Sequence, residues 1–396
     1  MQERIMLHPR DSMTAEERLR AVINLQVPDR VPVGPLIYYF NATYNNLSNV
    51  ELYNPWSYHR GIERILEELG PQDIYYHINI YDPEVCTLIW PMKVLEPGRQ
   101  LAPDAIRQFL EEECMFPDDY DWLMEKGEKL PLFTYWMFIM RLVPRMWENV
   151  PGGWRAYGFM LPRIAKTLAL KMVEYKRLEK RGIAILHATG VEAAFDIFSM
   201  ARGVLDFARD IRKYPREIKG AVDALTDSFV LYFKLVCLAT GIKRIMLALH
   251  RSSNDFISPW TFRELSLPAV KDIVERLASS GISTVLHCDG NWDLNLEVLR
   301  ELPAGKVIVQ CDGATDIFKA KEVIGDRICL MGDVPAHLLT LGSPAEVDEY
   351  CHRLIEEVGK GGGFILSSGC EVPPNARPEN IMAMLGSVAR YGYYGR

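Results

Sequence analysis

The sequence predicts one α/β domain, a (β/α)8 TIM barrel with a long helical insertion between its second and third strands. Three observations carry that prediction. Eight short β-rich runs can be marked along the chain. Most of them are apolar throughout instead of alternating, as parallel strands covered on both faces must be. In the C-terminal half they alternate with amphipathic stretches, the order of a β-α repeat. The chain has 396 residues, 48% of them hydrophobic and 24% charged, and one barrel of this type spans roughly 200 to more than 400 residues. Residues 1–396 are therefore read as a single barrel domain, with 86–181 as an inserted helical cap.

The elements follow in order. Thr14-Ala-Glu-Glu17 is a capping box, and Leu19, Val22, Ile23 and Val27 recur behind it at helical spacing until Pro28 stops the helix. The predicted strands are Val31–Ile37, Ile74–Ile80, Ile183–His187, Arg244–Leu249, Ser283–His287, Lys306–Cys311, Arg327–Met331 and Gly363–Leu366. Helical patterns separate the later ones: Pro259–Ser279, Leu294–Leu302, Ile317–Ile324, and a segment from Ser343-Pro-Ala-Glu346 to Val358 that opens with a Ser cap and a first-turn Pro. A doubly wound sheet is the rival architecture. It wants a Gly-rich phosphate loop after its first strand, and Val31-Pro-Val-Gly-Pro-Leu36 is not one. The stretch from Cys86 to Arg181 breaks the rhythm with an acidic turn, Pro117-Asp-Asp-Tyr-Asp121, and helical pieces rich in aromatics, Met, Lys and Arg. It reads as a lid over the barrel mouth or as packing material on its flank.

Bulk properties narrow the function classes. The net charge is −7 and the basic residues form no long block, so nucleic acid is not an expected partner. The N-terminal MQERIMLHPRDSM holds no apolar run of signal-peptide length, and no uncharged apolar stretch of about 20 residues occurs, so no membrane span is expected. Eight cysteines without framework spacing read as thiols of a reducing cytoplasm.

In a barrel, the groups that do chemistry sit where strands end. Here those positions are Tyr38-Tyr39, Tyr81-Asp82, His187-Ala-Thr189 with Glu192, His250-Arg251, His287-Cys-Asp289-Gly-Asn291, Asp312, Gly332-Asp333 and Ser367-Ser-Gly-Cys370-Glu371. His287, Asp289 and Cys370 offer imidazole, carboxylate and thiolate, the ligand types of Zn2+. The bland alternative is a polar His and a packed Cys at a rim. Cys288 is one residue out of phase with His287 and should point away from it. Cys311 and Cys329, inside strand runs, read as core. His187 and His250 are candidate general acids, as are His287 and Asp289 in the absence of metal. Tyr38, Tyr39 and Trp260 are candidates for a substrate-binding aromatic pocket, with Phe40, Tyr44 and Trp292 near them, and Asn291 and Asp333 for orienting a substrate. Core packing and turn chemistry are the competing explanations of these residues.

Several segments carry a family resemblance. Pro28-Asp-Arg-Val-Pro32, Ile257-Ser-Pro-Trp-Thr-Phe262, Leu286-His-Cys-Asp-Gly-Asn291, Met331-Gly-Asp-Val-Pro335 and Gly361-Gly-Gly-Phe-Ile-Leu-Ser-Ser-Gly-Cys370 resemble the uroporphyrinogen decarboxylase superfamily. The resemblance implies a barrel and leaves the middle insertion least covered. True decarboxylases of that family grip substrate propionates with an N-terminal arginine loop, and Leu36–Tyr44 contains no arginine. The chain is more similar to the corrinoid-dependent methyltransferase branch, in which a His-x-Cys after one strand and a distant Cys after Gly bind zinc. His287 and Cys370 match those positions, and Asp289 stands where that branch has its middle Cys. The resemblance thus implies a zinc site poorer in thiolate than that of enzymes activating a thiol acceptor. No Asp-x-His-x-x-Gly corrinoid signature occurs, so the corrinoid is expected on a separate partner protein. The expected reaction moves a methyl group from a small methylated substrate, an aryl methyl ether, to the Co(I) of that protein. Transfer from methyl-corrinoid to tetrahydrofolate or a thiol, uroporphyrinogen decarboxylation, and non-catalytic corrinoid or tetrapyrrole binding remain the alternatives.

Overall fold

The computed structural model describes residues 8–70, 72–79, 81–88, 90–147, 150 and 152–395. Residues 1–7 of the N-terminal MQERIMLHPRDSM lie outside them. Four short strands come first: β1 (Ile74–Tyr75), β2 (Lys93–Leu95), β3 (Gln108–Leu110) and β4 (Ala184–Ile185). Six follow: β5 (Gly190–Glu192), β6 (Arg244–Leu249), β7 (Ser283–Cys288), β8 (Val307–Cys311), β9 (Cys329–Val334) and β10 (Phe364–Ser368). Strands β5 to β10 form one parallel sheet in chain order, β1 pairs with β4 in parallel, and β2 and β3 make a separate antiparallel hairpin. Single bridges connect the pieces. Val33 pairs with Leu366 of β10 and Leu36 with Tyr76 just past β1. On the far side the Ala188 N–H donates to the Arg244 carbonyl at 2.8 Å and the Met246 N–H to that of Thr189 at 2.9 Å. The chain is an α/β fold whose parallel strands share one interior.

The first three predicted strands are shorter than the sequence suggests, each for a local reason. In Val31–Ile37, Pro32 and Pro35 have no N–H to give a ladder, so pairing is reduced to bridges at Val33 and Leu36. Ile74–Ile80 is laddered only over β1, and Ile80 lies outside the described residues. Ile183–His187 stops at β4 because the Arg244 guanidinium donates to the carbonyls of Ile185, at 2.8 Å, and Leu186, at 3.2 Å, oxygens a neighbouring strand would otherwise bond. The chain then resumes as β5, a strand not marked from the sequence.

Met246, Val285, Ile308, Cys329, Met331 and Ile365 point into the shared interior, while Leu286, Cys288 and Cys311 belong to the outer layer under the helices. The period-2 alternation therefore aims His287 inward and Cys288 outward. Leu19, Val22 and Ile23 of the helix Ala15–Ile23 enter the inner cluster from the N-terminal side of the strands. Burying each such side chain stabilises by roughly 1.5–3 kcal/mol. That helix has its capping box: Thr14 N–H donates to Glu17 Oε2 at 2.8 Å and Glu17 N–H to Thr14 Oγ1 at 3.2 Å. It ends at Ile23 instead of reaching Val27, because Leu25 takes a left-handed φ of 57° and turns the chain, leaving Val27 exposed.

The segment Pro28-Asp-Arg-Val-Pro32 is architectural. Arg18 pairs with Asp29 and Asp73, each at 2.7 Å; Arg30 pairs with Asp73 at 2.7 Å and Asp11 at 2.9 Å; and all five groups are buried or nearly so. Asp73 also accepts the Val33 N–H at 2.9 Å.

Between β1 and β4 lie the hairpin and the helices Asp118–Lys129, Thr134–Met146 and Trp154–Lys180. The first two pack on the outer helix Pro215–Thr240. A Cβ on Gly127 would stand 2.6 Å from Ala224 Cβ, so glycine permits that approach. Trp154–Lys180 instead reaches the strands, through Tyr175, whose hydroxyl donates to the Ala188 carbonyl at 3.0 Å. The helix expected over Leu294–Leu302 is confined to Leu296–Leu299. Pro259–Ser279 is interrupted by a π-helical turn, Phe262–Ser266, because Pro268 offers no N–H to continue regular bonding.

Candidate active site

Parallel register sets the site. Ala248 of β6 lies beside His287 of β7, and His287 beside Gln310 of β8, so the last inward residues of neighbouring strands converge. His250 follows β6 and Asp289 follows β7. The loop after β7 is held rigidly. Gly290 takes φ 79°, its N–H donates to Asp312 Oδ2 at 2.7 Å, and a Cβ there would collide with Ser253 and Asp255 at 2.6 Å. The Trp292 indole N–H donates to the Asp289 carbonyl at 2.9 Å.

These constraints bring His250, His287 and Asp289 together, with one donor atom from each lying within 4.8 Å of the others. His287 Nε2 is 3.1 Å from Asp289 Oδ1, and His250 Nε2 is 3.2 Å from Asp289 Oδ2. On its other nitrogen His250 meets Glu192 Oε2 at 2.8 Å, and Glu192 Oε1 is buried without a hydrogen bond. Asp289 Oδ1 is likewise buried without a hydrogen bond, its contact with His287 Nε2 being an ion pair when that ring is protonated. A buried carboxylate oxygen with spare acceptor capacity beside two imidazoles is a donor set that fits a divalent cation.

The protonation of the group follows from its surroundings. Burial opposes charge on His287, but the Tyr76 oxygen, Asp289 and Cys370 outweigh it and hold its pKa well above the ordinary value. His250 is likewise raised against burial, by Glu192 and Asp289. Burial pushes Asp289 up, and the two imidazoles overcome it, keeping the carboxylate far below its usual range.

The structure sorts the sequence candidates. Cys370, half-buried, is close enough to His287 to influence its charge, and burial and Asp289 push its own thiol up. It borders the His250–His287–Asp289 set and is not one of the three donors that share metal spacing; His250, read from sequence as an acid, takes that place. His187 is not joined to the group. Its imidazole lies against Tyr76, with centroids 6.0 Å apart, and burial, then Lys171 and His287, lower its pKa to about 3. It is therefore neutral, without the proton a general acid needs. Asn291 is used within its loop, bonding Asp255 and the Ala314 carbonyl, and Asp333 accepts the Tyr350 hydroxyl at 2.8 Å from an outer helix. Tyr39 is buried, its N–H on Glu371 and its hydroxyl accepting the Arg107 N–H at 3.1 Å. Tyr38 packs on Tyr39 and Tyr58, and Trp260 is exposed on a helix start.

Two site residues went unmarked in the sequence. Tyr76 bonds His287 Nδ1 at 2.8 Å, and Gln310 Oε1 accepts from Tyr76 at 3.3 Å. Gln310 carried a legible signal, a lone amide inside the apolar run Val307–Cys311. Tyr76 carried none, since an aromatic in a strand is ordinary core.

Among the described residues, no helix is long and apolar enough to cross a membrane. The family model described as uroporphyrinogen decarboxylase (URO-D) matches residues 170–391. A uroporphyrinogen decarboxylase of Shewanella denitrificans is 26% identical over 178 residues, 44% of this chain and 48% of that one. Methylcobamide:CoM methyltransferase MtaA of Methanosarcina barkeri is 27% identical over 227 residues, 57% of this chain and 62% of that one. The chain thus spans about half the length of the curated relatives it matches. A solved methyltransferase structure from Methanosarcina mazei covers 96% of this chain and 99% of its own at a TM-score of 0.67 and 18% identity, which shows a shared fold. The family match takes in β4 to β10 with His250, His287, Asp289 and Cys370, and on that span the chain belongs to the uroporphyrinogen decarboxylase family.

Proposed function

We propose that this chain is a corrinoid-dependent methyltransferase on a (β/α)8 barrel, moving a methyl group from an aryl methyl ether or similar small substrate to Co(I) on a separate corrinoid protein. The observation that carries the reading is the His250–His287–Asp289 group at the strand ends. No arginine side chain bonds any of the three among the described residues, whereas a polycarboxylate such as uroporphyrinogen needs cationic partners. Its likeness to a methyltransferase as well as to decarboxylases supports the same branch.

His250, His287 and Asp289 would hold zinc, with Cys370 beside them, and bound zinc would supply a Lewis acid for the departing oxygen. The chain's own residues prepare that site. Tyr76 fixes the ring of His287, and Glu192 anchors His250 through its Nδ1. In the metal-free site, a protonated His250 holds its Nε2 proton toward Asp289. In the reaction the C–O bond breaks, the methyl carbon goes to the nucleophilic acceptor, and the oxygen keeps the electron pair and takes one proton.

The test mixes the protein with a Co(I) corrinoid protein and methoxylated aromatics, and follows loss of the Co(I) absorbance. Loss that requires both protein and ether is expected. Absence of any loss, together with carbon dioxide release from uroporphyrinogen, would overturn the reading in favour of decarboxylation.

A further inference from the structure

A second compartment lies on the flank, between the break after β4 and the helices Trp154–Lys180 and Pro215–Thr240. It is a cavity of about 380 Å³, within the range of small-molecule sites. Most of its wall is apolar or aromatic, including Trp90, Trp136, Ile164, Leu168, Val236 and Ala239. His250, His287 and Asp289 are not among its lining residues. Tyr76 lies between the two compartments, its ring against both His187 and His287.

The polar groups of the wall are almost all spent on one another. Lys171 Nζ donates to Asn79 Oδ1, to His77 Nδ1 at 3.2 Å and to Glu174 Oε2 at 3.2 Å, which uses its three protons. His77 then carries its proton on Nε2, facing the Tyr175 oxygen at 2.9 Å, and Tyr175 passes its own to the Ala188 carbonyl. Thr189 and Tyr232 hydroxyls pair at 2.9 Å. Among the described lining residues His187 is the exception. It is 2% exposed, and neither ring nitrogen has a hydrogen-bond partner.

A neutral imidazole offers one donor and one acceptor. Leaving both unmade in an apolar wall is costly unless something in the cavity meets them. A hydroxyl both donates and accepts, so it satisfies either tautomer. A carboxylate would bring a charge into an apolar cavity whose single cation is already compensated by Glu174, and a hydrocarbon would leave the imidazole unpaired.

We propose that this flank cavity is a binding site for a small neutral aryl alcohol or phenol, its hydroxyl on His187 and its ring among Trp90, Trp136, Ile164 and Leu168. The assignment stands independently of the methyl-transfer reading.

Calorimetric titration of the full chain with 4-ethylphenol, ethylbenzene and 4-ethylbenzoate tests it. 4-Ethylphenol should bind at least tenfold more tightly than either analogue, one hydrogen bond being worth about a factor of ten. Thr167→Trp, which fills the cavity from a half-buried rim position, should abolish binding. His187→Phe should bring 4-ethylphenol to the ethylbenzene level, and His287→Ala should leave its affinity within twofold. Unchanged binding in Thr167→Trp, equal affinities for the three probes, or loss of binding in His287→Ala would overturn the assignment. The rim variant keeps the test decisive if His187→Phe does not fold.

Discussion

Tyr76 Oη stands 2.8 Å from His287 Nδ1, and this contact decides which nitrogen of His287 faces the site. The Gln310 amide NH2 is committed to the carbonyls of Gly369 and Cys311, so its Oε1 turns to Tyr76 and can only accept. Tyr76 therefore donates to Gln310 and accepts from His287 Nδ1–H. Nε2 is left with its lone pair toward Asp289 whenever His287 is neutral, the tautomer a metal requires. The orientation is built by His287 and Gln310, paired on the neighbouring strands β7 and β8, and by Tyr76 from the segment after β1.

Tyr76→Phe removes this control and almost no volume. Zinc affinity, measured by competition with a chromophoric chelator, should fall about 10- to 100-fold, the usual effect of losing a partner behind a ligating imidazole. The melting temperature should change by no more than a few degrees. Unaltered zinc affinity would show that Nδ1 is not what positions the ring.

Which residue completes the metal set is open to a direct comparison. His250→Ala should lower zinc content to a small fraction of one equivalent, because it removes one of the three donors within 4.8 Å. Cys370→Ser should retain most of the metal, since that thiol borders the set. Elemental analysis of the two dialysed variants reads the answer. The reverse order would restore the His287–Asp289–Cys370 set that the sequence suggests.

What the sequence disclosed about this site follows from how each residue signals. His287 and Asp289 were legible because a parallel strand is apolar until it ends, and a titratable group just beyond stands out. Phase alone turned Cys288 away, and the structure has it in the outer layer. His250 was legible as a strand-end histidine, but its place beside Asp289 depends on the β6–β7 register, which one chain's pattern does not encode. Asn291 and Asp333 carried the same polar signal and are spent on turn and helix contacts; a local string does not distinguish a free carboxylate from a bonded one. The N-terminal strands are shorter than their composition suggests for a similar reason, since Pro32, Pro35 and the Arg244 side chain replace ladder bonds in ways that apolar composition conceals.

Stability should depend on pH through Asp196. This carboxyl is fully buried, accepts the Arg251 N–H and the Ser252 hydroxyl at 2.6 Å each, and is pushed by burial and by Glu192 to about 7. Its folded pKa lies above its unfolded one, so the folded state holds a proton that the unfolded state has lost. That contribution is complete below about pH 4 and is lost as pH rises through about 7. The midpoint of urea unfolding should therefore fall between pH 5 and pH 8, a decline to which Glu371, raised to about 7, and Asp333, raised to about 6, add with the same sign, and Asp196→Asn should make it shallower. An equal slope in the variant would assign the dependence to other groups.

Asp73 ties the N-terminal segment to the sheet, accepting from Arg18, Arg30 and the Val33 N–H. Asp73→Ala would leave two buried guanidiniums with one carboxylate partner fewer each, at positions where water does not replace it. Removing one member of a buried ionic set costs about 3–5 kcal/mol. Because Val33 is bridged to β10 and its carbonyl accepts from Asp73 and Ile74, the loss should also loosen the junction between the first segment and the last strand. Chemical denaturation should show the full destabilisation, and hydrogen exchange should show Gly34 and Leu366, whose N–H groups bond across that junction, losing protection ahead of the β6–β8 amides. A cost below about 1 kcal/mol, the level of an exposed ion pair, would mean that the network is dispensable and that the proline-flanked segment is held by packing alone.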